Sequence, residues 1–169
     1  GVVTAGRIVA LTAMKSNPNL NAIYVPSYGF ATRGGEALSD VILDENAINY
    51  PKVVGLDVLV ALSQSAFNAS VNLIKEGGLI IIDSNSISDL SKLNKRVRII
   101  NLEISEAVRS VGSSIFTSTV ILGLLINILP SLIREDDLIS ILKTNFPQKY
   151  LDQNLKALMV GKSLEVKVG

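Results

Sequence analysis

Three near-continuous apolar runs in the middle of the chain predict strands that are covered on both faces. They are "GLDVLVALS" from Gly55 to Ser63, "LIIIDS" from Leu79, and "VRIINL" from Val97. Strands that are buried on both sides carry apolar residues at successive positions rather than at alternate ones. Two shorter runs upstream, "NAIYV" and "SDVILD", also predict strands.

The other apolar positions follow a helical period. At the start, "VVTAGRIVALTAMK" places Val3, Ile8, Leu11 and Met14 on one helical face. The segment "FNASVNLIKEGG" predicts a helix with Phe67, Val71 and Ile74 on one face and Gly77 just after its end.

From Ser105 onward the pattern becomes entirely helical. The predicted helices are "SEAVRSVG", "SIFTSTVILGLLINILP", "REDDLISILKTNF" and "YLDQNLKALMVGK". In the last of these, Leu151, Leu155, Leu158 and Met159 follow the spacing of one apolar face. Acidic residues open the third, as the helix dipole favours.

Strands that alternate with helices predict an α/β fold, with helices on both sides of a mostly parallel sheet. We expect a three-layer α/β/α domain over residues 1–169, with the C-terminal helices packed on the sheet. A doubly wound domain usually begins with a strand, whereas this chain opens with a helix at Gly1. The expectation is therefore that a first strand is missing here and lay upstream.

The composition changes the picture in two ways. Hydrophobic residues make up 48% and charged residues 18% of the 169 positions, and the mean hydropathy is +0.41. Such a composition predicts apolar surface that a partner covers. The net charge is +1, so neither nucleic acid nor an anionic membrane is expected as a partner.

The most apolar stretch, "SIFTSTVILGLLINILPSLI", is interrupted by polar residues. Its apolar centre falls short of the roughly 20 residues that a membrane span needs. A buried helix explains this stretch better, and no signal peptide is apparent at the start. We expect a cytoplasmic protein.

The chain contains no Cys and no His. Thiolate nucleophiles, Cys-ligated clusters, and His as a general base or metal ligand are therefore excluded within it. Asp40 and Asp44 share one face of a predicted strand, but no partner is specified for a carboxylate pair. No catalytic residue and no metal ligand is assigned.

Ligands of open α/β sheets bind at the carboxyl ends of strands and at helix N-termini. The start of the first helix qualifies, because free N–H groups near Gly1 and Val2 and the Thr4 hydroxyl could hold a phosphate. It matches neither dinucleotide nor Walker motifs, and close helix packing explains its small residues about as well. Ser63-Gln64-Ser65 and Asp83-Ser84-Asn85-Ser86 also follow strands, but helix capping is the better interpretation of both.

Another candidate is the segment "YGFATRGGEALSDVIL", which joins the two short strands. Its glycines, Gly29, Gly34 and Gly35, supply backbone freedom or room for close approach. Arg33 supplies a planar cation that suits a carboxylate or a phosphate. From the residues alone, a plain strand connection with a surface arginine is slightly favoured.

Several segments resemble one family, in the family's order along the chain. They are "GVVTAGRIVA", "PSYGFATRGGEALSDVIL", "PKVVGLDVLVALSQSAF", "LIKEGGLIIIDS" and "ILGLL". The family is the gamma subunit, or gamma domain, of 2-oxoacid:ferredoxin oxidoreductases. The resemblance covers nearly the whole chain. The tyrosine-glycine step and the Arg-Gly-Gly turn, followed by "D-x-L-x-A-L-x-Q", are specific in combination.

The resemblance implies an accessory subunit of a complex that decarboxylates a 2-oxoacid. Such complexes use thiamine diphosphate, iron–sulfur clusters and coenzyme A, and they pass electrons to ferredoxin. The thiamine and the clusters lie largely in other subunits, so this chain alone is expected to hold no cofactor firmly. The gamma part helps to bind coenzyme A at its first helix, which here implicates Gly1, Val2 and Thr4.

The resemblance also implies that the segment between the short strands faces other subunits. Tyr28, Gly29, Arg33, Gly34 and Gly35 would then be interface residues. This chain departs from the family in two places. It lacks the strand and Gly-Gln step that precede the position of Gly1, and it has Thr117-Ser118-Thr119 where an Asn-Met pair is frequent.

Alternatives remain open at this point. One is a free-standing α/β module that binds a nucleotide or coenzyme A without redox partners. Another is a self-contained hydrolase or transferase, which the absence of His and Cys disfavours. Copies of the chain could also associate with one another in isolation. The identity of the 2-oxoacid and the subunit stoichiometry are not specified by the sequence.

Overall fold

The computed structural model describes residues 1–28 and 37–166. Its helices and strands follow one another in the order that the apolar patterns predict, with one exception treated below. The elements are α1 (Val2–Ser16), β1 (Asn21–Tyr28), β2 (Ala37–Asp44), β3 (Leu56–Ala61), α2 (Gln64–Ser70), β4 (Ile74–Asp83), β5 (Arg98–Leu102), α3 (Ile104–Val111), α4 (Thr117–Ile128), α5 (Glu135–Asn145) and α6 (Leu151–Lys162).

The sheet at the centre of the fold has three parallel strands in the order β3-β4-β5. The strands β1 and β2 do not join it; they pair with each other as an antiparallel hairpin. Helices α1 and α3 to α6 cover one face of the sheet, and α2 with the segment after β4 covers the other. The predicted three-layer α/β fold with a parallel sheet is thus confirmed.

The middle strand β4 is the most completely buried, because it has a neighbour on each side and side chains packed on both faces. Ile80 and Ile82 belong to the cluster under α2, while Leu79 and Ile81 belong to the larger cluster under the other helices. β3 shares this division, with Leu59 on the α2 side. This is the pattern that the continuous apolar runs predict.

One predicted helix is wrong in its second half. α2 ends at Ser70, a single 3-10 turn follows, and Ile74 already begins β4. Gly77 is therefore not a helix C-terminal residue; it lies within β4 at φ +75, and its N–H donates to the Arg96 carbonyl. The register between β3 and β4 shifts between Leu56 and Val58, so this stretch of β4 forms a bulge. Ile74 still packs with Phe67, as its spacing predicts.

Two predicted core positions are also wrong. Met14 is 36% exposed and Met159 is 54% exposed. α1 instead buries mainly small residues, among them Ala5, Gly6 and Ala13. Small side chains allow the neighbouring elements to approach the helix backbone closely.

Helices α4 and α6 approach each other backbone to backbone. A Cβ added to Gly161 would overlap the Val120 carbonyl, and one added to Gly123 would overlap the Leu158 carbonyl. Beside this contact, the buried Thr119 hydroxyl donates to the Asn154 side chain over 2.7 Å. The two helices form the rigid part of the layer on which α1 lies.

Candidate functional site

The N-terminus of α1 lies beside the N-terminus of α4. A Cβ built on Gly1 would be 3.4 Å from the Thr117 Cβ and 3.7 Å from the Ser118 backbone nitrogen. Gly1 is exposed, whereas Val2 and Thr4 are half-buried. Since α4 follows β5 and α3 in the chain, this juxtaposition brings together two segments that the sequence separates widely.

Neither of these two helices has a side-chain cap or an acidic residue in its first turn. The first intrahelical bond of α1 runs from the Ala5 N–H to the Gly1 carbonyl, at 3.1 Å. The N–H groups of Val2, Val3 and Thr4 therefore have no partner within the helix. The α1 dipole points its positive end toward this place, which favours an anion such as a phosphate. α4 contributes less, because it continues a 3-10 turn over Ser114–Phe116 and the Thr117 N–H already donates to the Ser114 carbonyl.

The hairpin positions this end of α1. The Tyr24 hydroxyl donates to the Val3 carbonyl over 2.8 Å. A Cβ on Gly6 would overlap the Ser39 hydroxyl and lie 3.3 Å from the Tyr24 ring. The small residue at Gly6 thus serves close packing against the hairpin, and the free N–H groups of the preceding turn carry the anion-binding potential.

Most of the predicted interface residues lie outside the described residues. Tyr28 ends β1 and pairs with Ala37 across the hairpin, while Gly29, Arg33, Gly34 and Gly35 lie outside the described residues. Their predicted contacts with other subunits stay a prediction.

Of the two polar segments that follow β3 and β4, only the first is a helix N-cap, as predicted; the prediction is wrong for the second, which leads into a turn with no helix after it. Ser63 is the N-cap of α2, and its hydroxyl accepts from the Ala66 N–H. Asp83 acts across space on α3, because its carboxylate accepts from both the N–H and the hydroxyl of Ser105. These side chains hold the carboxyl edge of the sheet together.

Asp83 is fully buried, yet it does not have the character of a general base. Its burial alone would raise the pKa, but the hydrogen bonds from Ser105 and Ser86 outweigh that effect and lower the pKa below its ordinary value. A carboxylate whose oxygens are occupied by hydroxyl and amide donors is stabilised in its charged form. Its role is structural, consistent with the absence of an assigned catalytic residue.

A second concave region lies at the amino edge of the sheet. It is a cleft of about 450 Å³ lined by charged side chains that include Asp57, Lys75 and Arg98. Lys75 is already paired with Asp57 at 2.8 Å, and both side chains are more than half exposed. In the described part of the chain, no group of three or more acidic residues could hold a metal ion.

The contact between Gly1 and the start of α4 was not predicted from the sequence. Nothing in the residue spacing near Gly1 or Thr117 signals this contact. No helix among residues 1–28 and 37–166 is long and apolar enough to span a membrane.

The sequence and the fold are both similar to those of known proteins. The profile of the family described as pyruvate ferredoxin/flavodoxin oxidoreductase matches residues 1–164. The 2-oxoglutarate synthase subunit KorC of Methanocaldococcus jannaschii is 38% identical over 88 residues, which are 52% of this chain and 46% of KorC. The matched region thus spans less than half the length of that relative.

Two solved structures share the fold. The gamma subunit of a keto/oxoacid ferredoxin oxidoreductase from Geobacter sulfurreducens PCA has a TM-score of 0.76 at 24% identity, with 98% of this chain and 92% of that chain covered. A 2-oxoglutarate:ferredoxin oxidoreductase from Magnetococcus marinus, solved with 2-oxoglutarate, coenzyme A and succinyl-CoA, has a TM-score of 0.82 at 20% identity. That match covers 96% of this chain and 28% of the Magnetococcus chain.

Proposed function

Because the chain belongs to the pyruvate ferredoxin/flavodoxin oxidoreductase family, we propose that it is an accessory, gamma-type subunit of a 2-oxoacid:ferredoxin oxidoreductase. The complex would convert a 2-oxoacid and coenzyme A to an acyl-CoA and carbon dioxide, with two electrons passed to ferredoxin. The observation that carries the proposal is the family match, which extends over residues 1–164.

The chemistry of the chain supports an accessory role rather than an independent one. The sequence has no Cys or His to ligate an iron–sulfur cluster, and the buried Asp83 is engaged by Ser105 and Ser86. Thiamine diphosphate and the clusters would therefore be bound by partner subunits. A free-standing nucleotide-binding module has no comparable support, and a cytoplasmic location belongs to the same proposal.

The coenzyme A site would include the place where α1 and α4 begin. Gly1 and Val2 would offer backbone N–H groups and Thr4 its hydroxyl to a phosphate of the cofactor. Two helix N-termini without acidic side chains support this assignment, as does coenzyme A in the Magnetococcus structure. The residues of this chain would bind and orient the phosphate end, while the acyl transfer would occur on partner subunits.

The segment from Tyr28 to Gly35 would complete the assembly. Arg33 would pair with a carboxylate or phosphate of a neighbouring subunit, and the glycines Gly29, Gly34 and Gly35 would let its backbone come close.

The experiment is reconstitution of the complex from this chain and separately tagged thiamine- and cluster-bearing subunits encoded in the same genome. The wild-type chain should co-purify with them and support acyl-CoA formation coupled to ferredoxin reduction. Arg33→Ala should reduce recovery of the complex. Failure of the wild-type chain to assemble would contradict the accessory role, and intact assembly by Arg33→Ala would remove the role given to Arg33.

The coenzyme A site is tested in the same complex with Thr4→Val, which removes the hydroxyl while keeping the side-chain volume. We expect the KM for coenzyme A to rise about tenfold or more with kcat little changed, as for loss of one hydrogen bond to a charged group. Thr144→Val, at the far end of α5, is the matched control. An unchanged KM in Thr4→Val would place the phosphate elsewhere.

A further inference from the structure

The β1–β2 hairpin has two faces, and only one of them is covered by α1. Tyr24 and Ser39 point toward α1, as their contacts with Val3 and Gly6 establish. Side chains alternate along a strand, so the neighbouring positions point to the opposite side. We call that side the outer hairpin face; its residues are Ile23, Val25, Leu38, Asp40 and Ile42.

The pairing of β1 with β2 places aliphatic side chains next to one another on the outer hairpin face, with one carboxyl group among them. Ile23 lies opposite Ile42, and Val25 lies opposite Asp40. Along β2, Asp40 is flanked on this face by Leu38 and Ile42. The carboxyl group is therefore surrounded by aliphatic side chains on three sides.

None of the described helices and strands makes extensive contact with this strip. α1 is the described element in extensive contact with the hairpin, and it lies on the other face. The four aliphatic residues belong to neither of the two core clusters, and each is half-buried. Contiguous apolar surface of this kind is typical of a site where another molecule docks.

Asp40 indicates the chemistry of that molecule. Within residues 1–28 and 37–166 its carboxylate makes no hydrogen bond and no ion pair, and its partial burial raises the pKa. Asp44, farther along the same strand face, is exposed and accepts hydrogen bonds from Asn46. A carboxylate that is desolvated further without a cation is strongly destabilising. A docked molecule that supplies a positive charge would remove this cost.

The size of the strip and the position of Asp40 restrict the occupant. Two eight-residue strands give a face of roughly 260 Å², from ~3.3 Å per residue and ~10 Å of width. A stable interface buries about 800 Å² per partner, so the strip would be the centre of a larger contact. A second copy of this chain would bring a second Asp40 to the same apolar contact, which like-charge repulsion disfavours.

We propose that the outer hairpin face docks another protein subunit, which presents one Lys or Arg side chain to Asp40 from within an apolar surface. This inference rests on the proposed function, because the partner is a subunit of the same oxidoreductase. It names the surface and the complementary chemistry of the contact. The aliphatic residues exclude water, and the ion pair fixes the register of the two subunits.

The test measures binding of this chain to the purified subcomplex of the remaining subunits, for wild type, Asp40→Asn and Asp40→Lys. We expect Asp40→Asn to weaken binding at least tenfold and Asp40→Lys to abolish it, since removal of one partner leaves a buried cation unpaired. Asp44→Asn is the matched control on the same strand and should change the affinity less than twofold. The isolated Asp40→Asn chain should be as stable as wild type or more so.

The outcomes separate this inference from the proposed function. If wild type fails to bind the subcomplex, both are overturned. If wild type and Asp40→Asn bind equally, the docking surface is overturned and the accessory role stands. A cation within this chain would make the isolated Asp40→Asn chain less stable than wild type, which also overturns the inference. So would self-association of the isolated chain that Asp40→Asn strengthens.

Discussion

The α4–α6 pair and the α1–hairpin pair are both packed closely at glycines, but they differ in whether their buried polar groups are hydrogen-bonded. Both use glycines for close approach: Gly123 and Gly161 let the α4 and α6 backbones meet, and Gly6 makes room for the Ser39 and Tyr24 side chains of the hairpin. In the first pair the neighbouring buried polar groups are bonded, as Thr119 is to Asn154. In the second, the buried Ser39 hydroxyl has no partner within the described residues.

The difference follows the number of layers around each pair. α4 contributes nine buried residues, packs against α6 and shares the large core cluster with the sheet. The hairpin has α1 on one face and, among the described elements, no helix or strand in extensive contact with the other. Polar groups inside a finished core must be satisfied within the chain, whereas a surface that another subunit completes can carry groups whose partners come from outside. On the proposed docking surface, the hairpin side would be the part of this molecule that contacts other subunits.

Among the substitutions that test this comparison, Gly161→Ala should have the largest effect on stability. The added methyl would overlap the Val120 carbonyl, which is backbone in the first turn of α4 and cannot rotate away. We expect a loss of about 3 kcal/mol or more in the free energy of unfolding, measured by urea denaturation. Gly55→Ala is the control, because its Cβ would meet only the flexible Lys75 side chain at 3.1 Å. Equal stability of the two variants would show that α4 and α6 separate easily.

The next effect concerns the buried carboxylate on the sheet side, Asp83. Asp83→Asn should lower the free energy of unfolding by about 2 kcal/mol at pH 7, because hydrogen bonds to a charged acceptor are lost. The pKa of Asp83 is lowered in the folded state, so its contribution is complete above the unfolded pKa of about 3.8. It is lost as the pH falls through the lower, folded value.

The measurement for Asp83 is urea denaturation of wild type and Asp83→Asn at several pH values between 7 and 3. The gap between the two proteins should be constant down to about pH 4 and should narrow below it. A gap that persists unchanged at pH 3 would mean that charge is not the source of the stabilisation. The solvent-exposed Asp57→Asn is a control for general acid effects.

The sequence predicted the parts of this fold that depend on local patterns. The apolar runs predicted β4 and β5, and the Ser63 cap of α2 followed from residue type. The change from 3-10 turn to strand at Ile74 was missed, because Lys75 and Glu76 face solvent and carry no periodic signal. Gly77 takes a positive φ that serves a bulge as readily as a helix end.

The parts of the fold that the sequence did not predict depend on contacts between segments that are distant along the chain. Nothing in the spacing of Gly123 or Gly161 specifies that each faces the other helix's backbone. The same is true of Gly1 beside Thr117, which places the starts of α1 and α4 side by side. The first half of the candidate anion site was therefore predictable as a helix N-terminus, and its second half depended on tertiary packing.

The smallest expected effect on stability comes from removing a single hydroxyl group on the hairpin. Ser39→Ala removes a buried hydroxyl that has no hydrogen-bond partner within residues 1–28 and 37–166. We expect the isolated chain to be unchanged or stabilised by up to about 1 kcal/mol, because an unsatisfied polar group no longer has to be desolvated. Ser105→Ala, the same substitution at a hydroxyl that donates to Asp83, should instead cost about 1 to 2 kcal/mol. Urea denaturation of both variants gives the change in the free energy of unfolding. Equal losses would mean that the hydroxyl groups on the hairpin side are as fully hydrogen-bonded as those on the sheet side. A gain for Ser39→Ala and a loss for Ser105→Ala would show that the hairpin side carries the unsatisfied polar group.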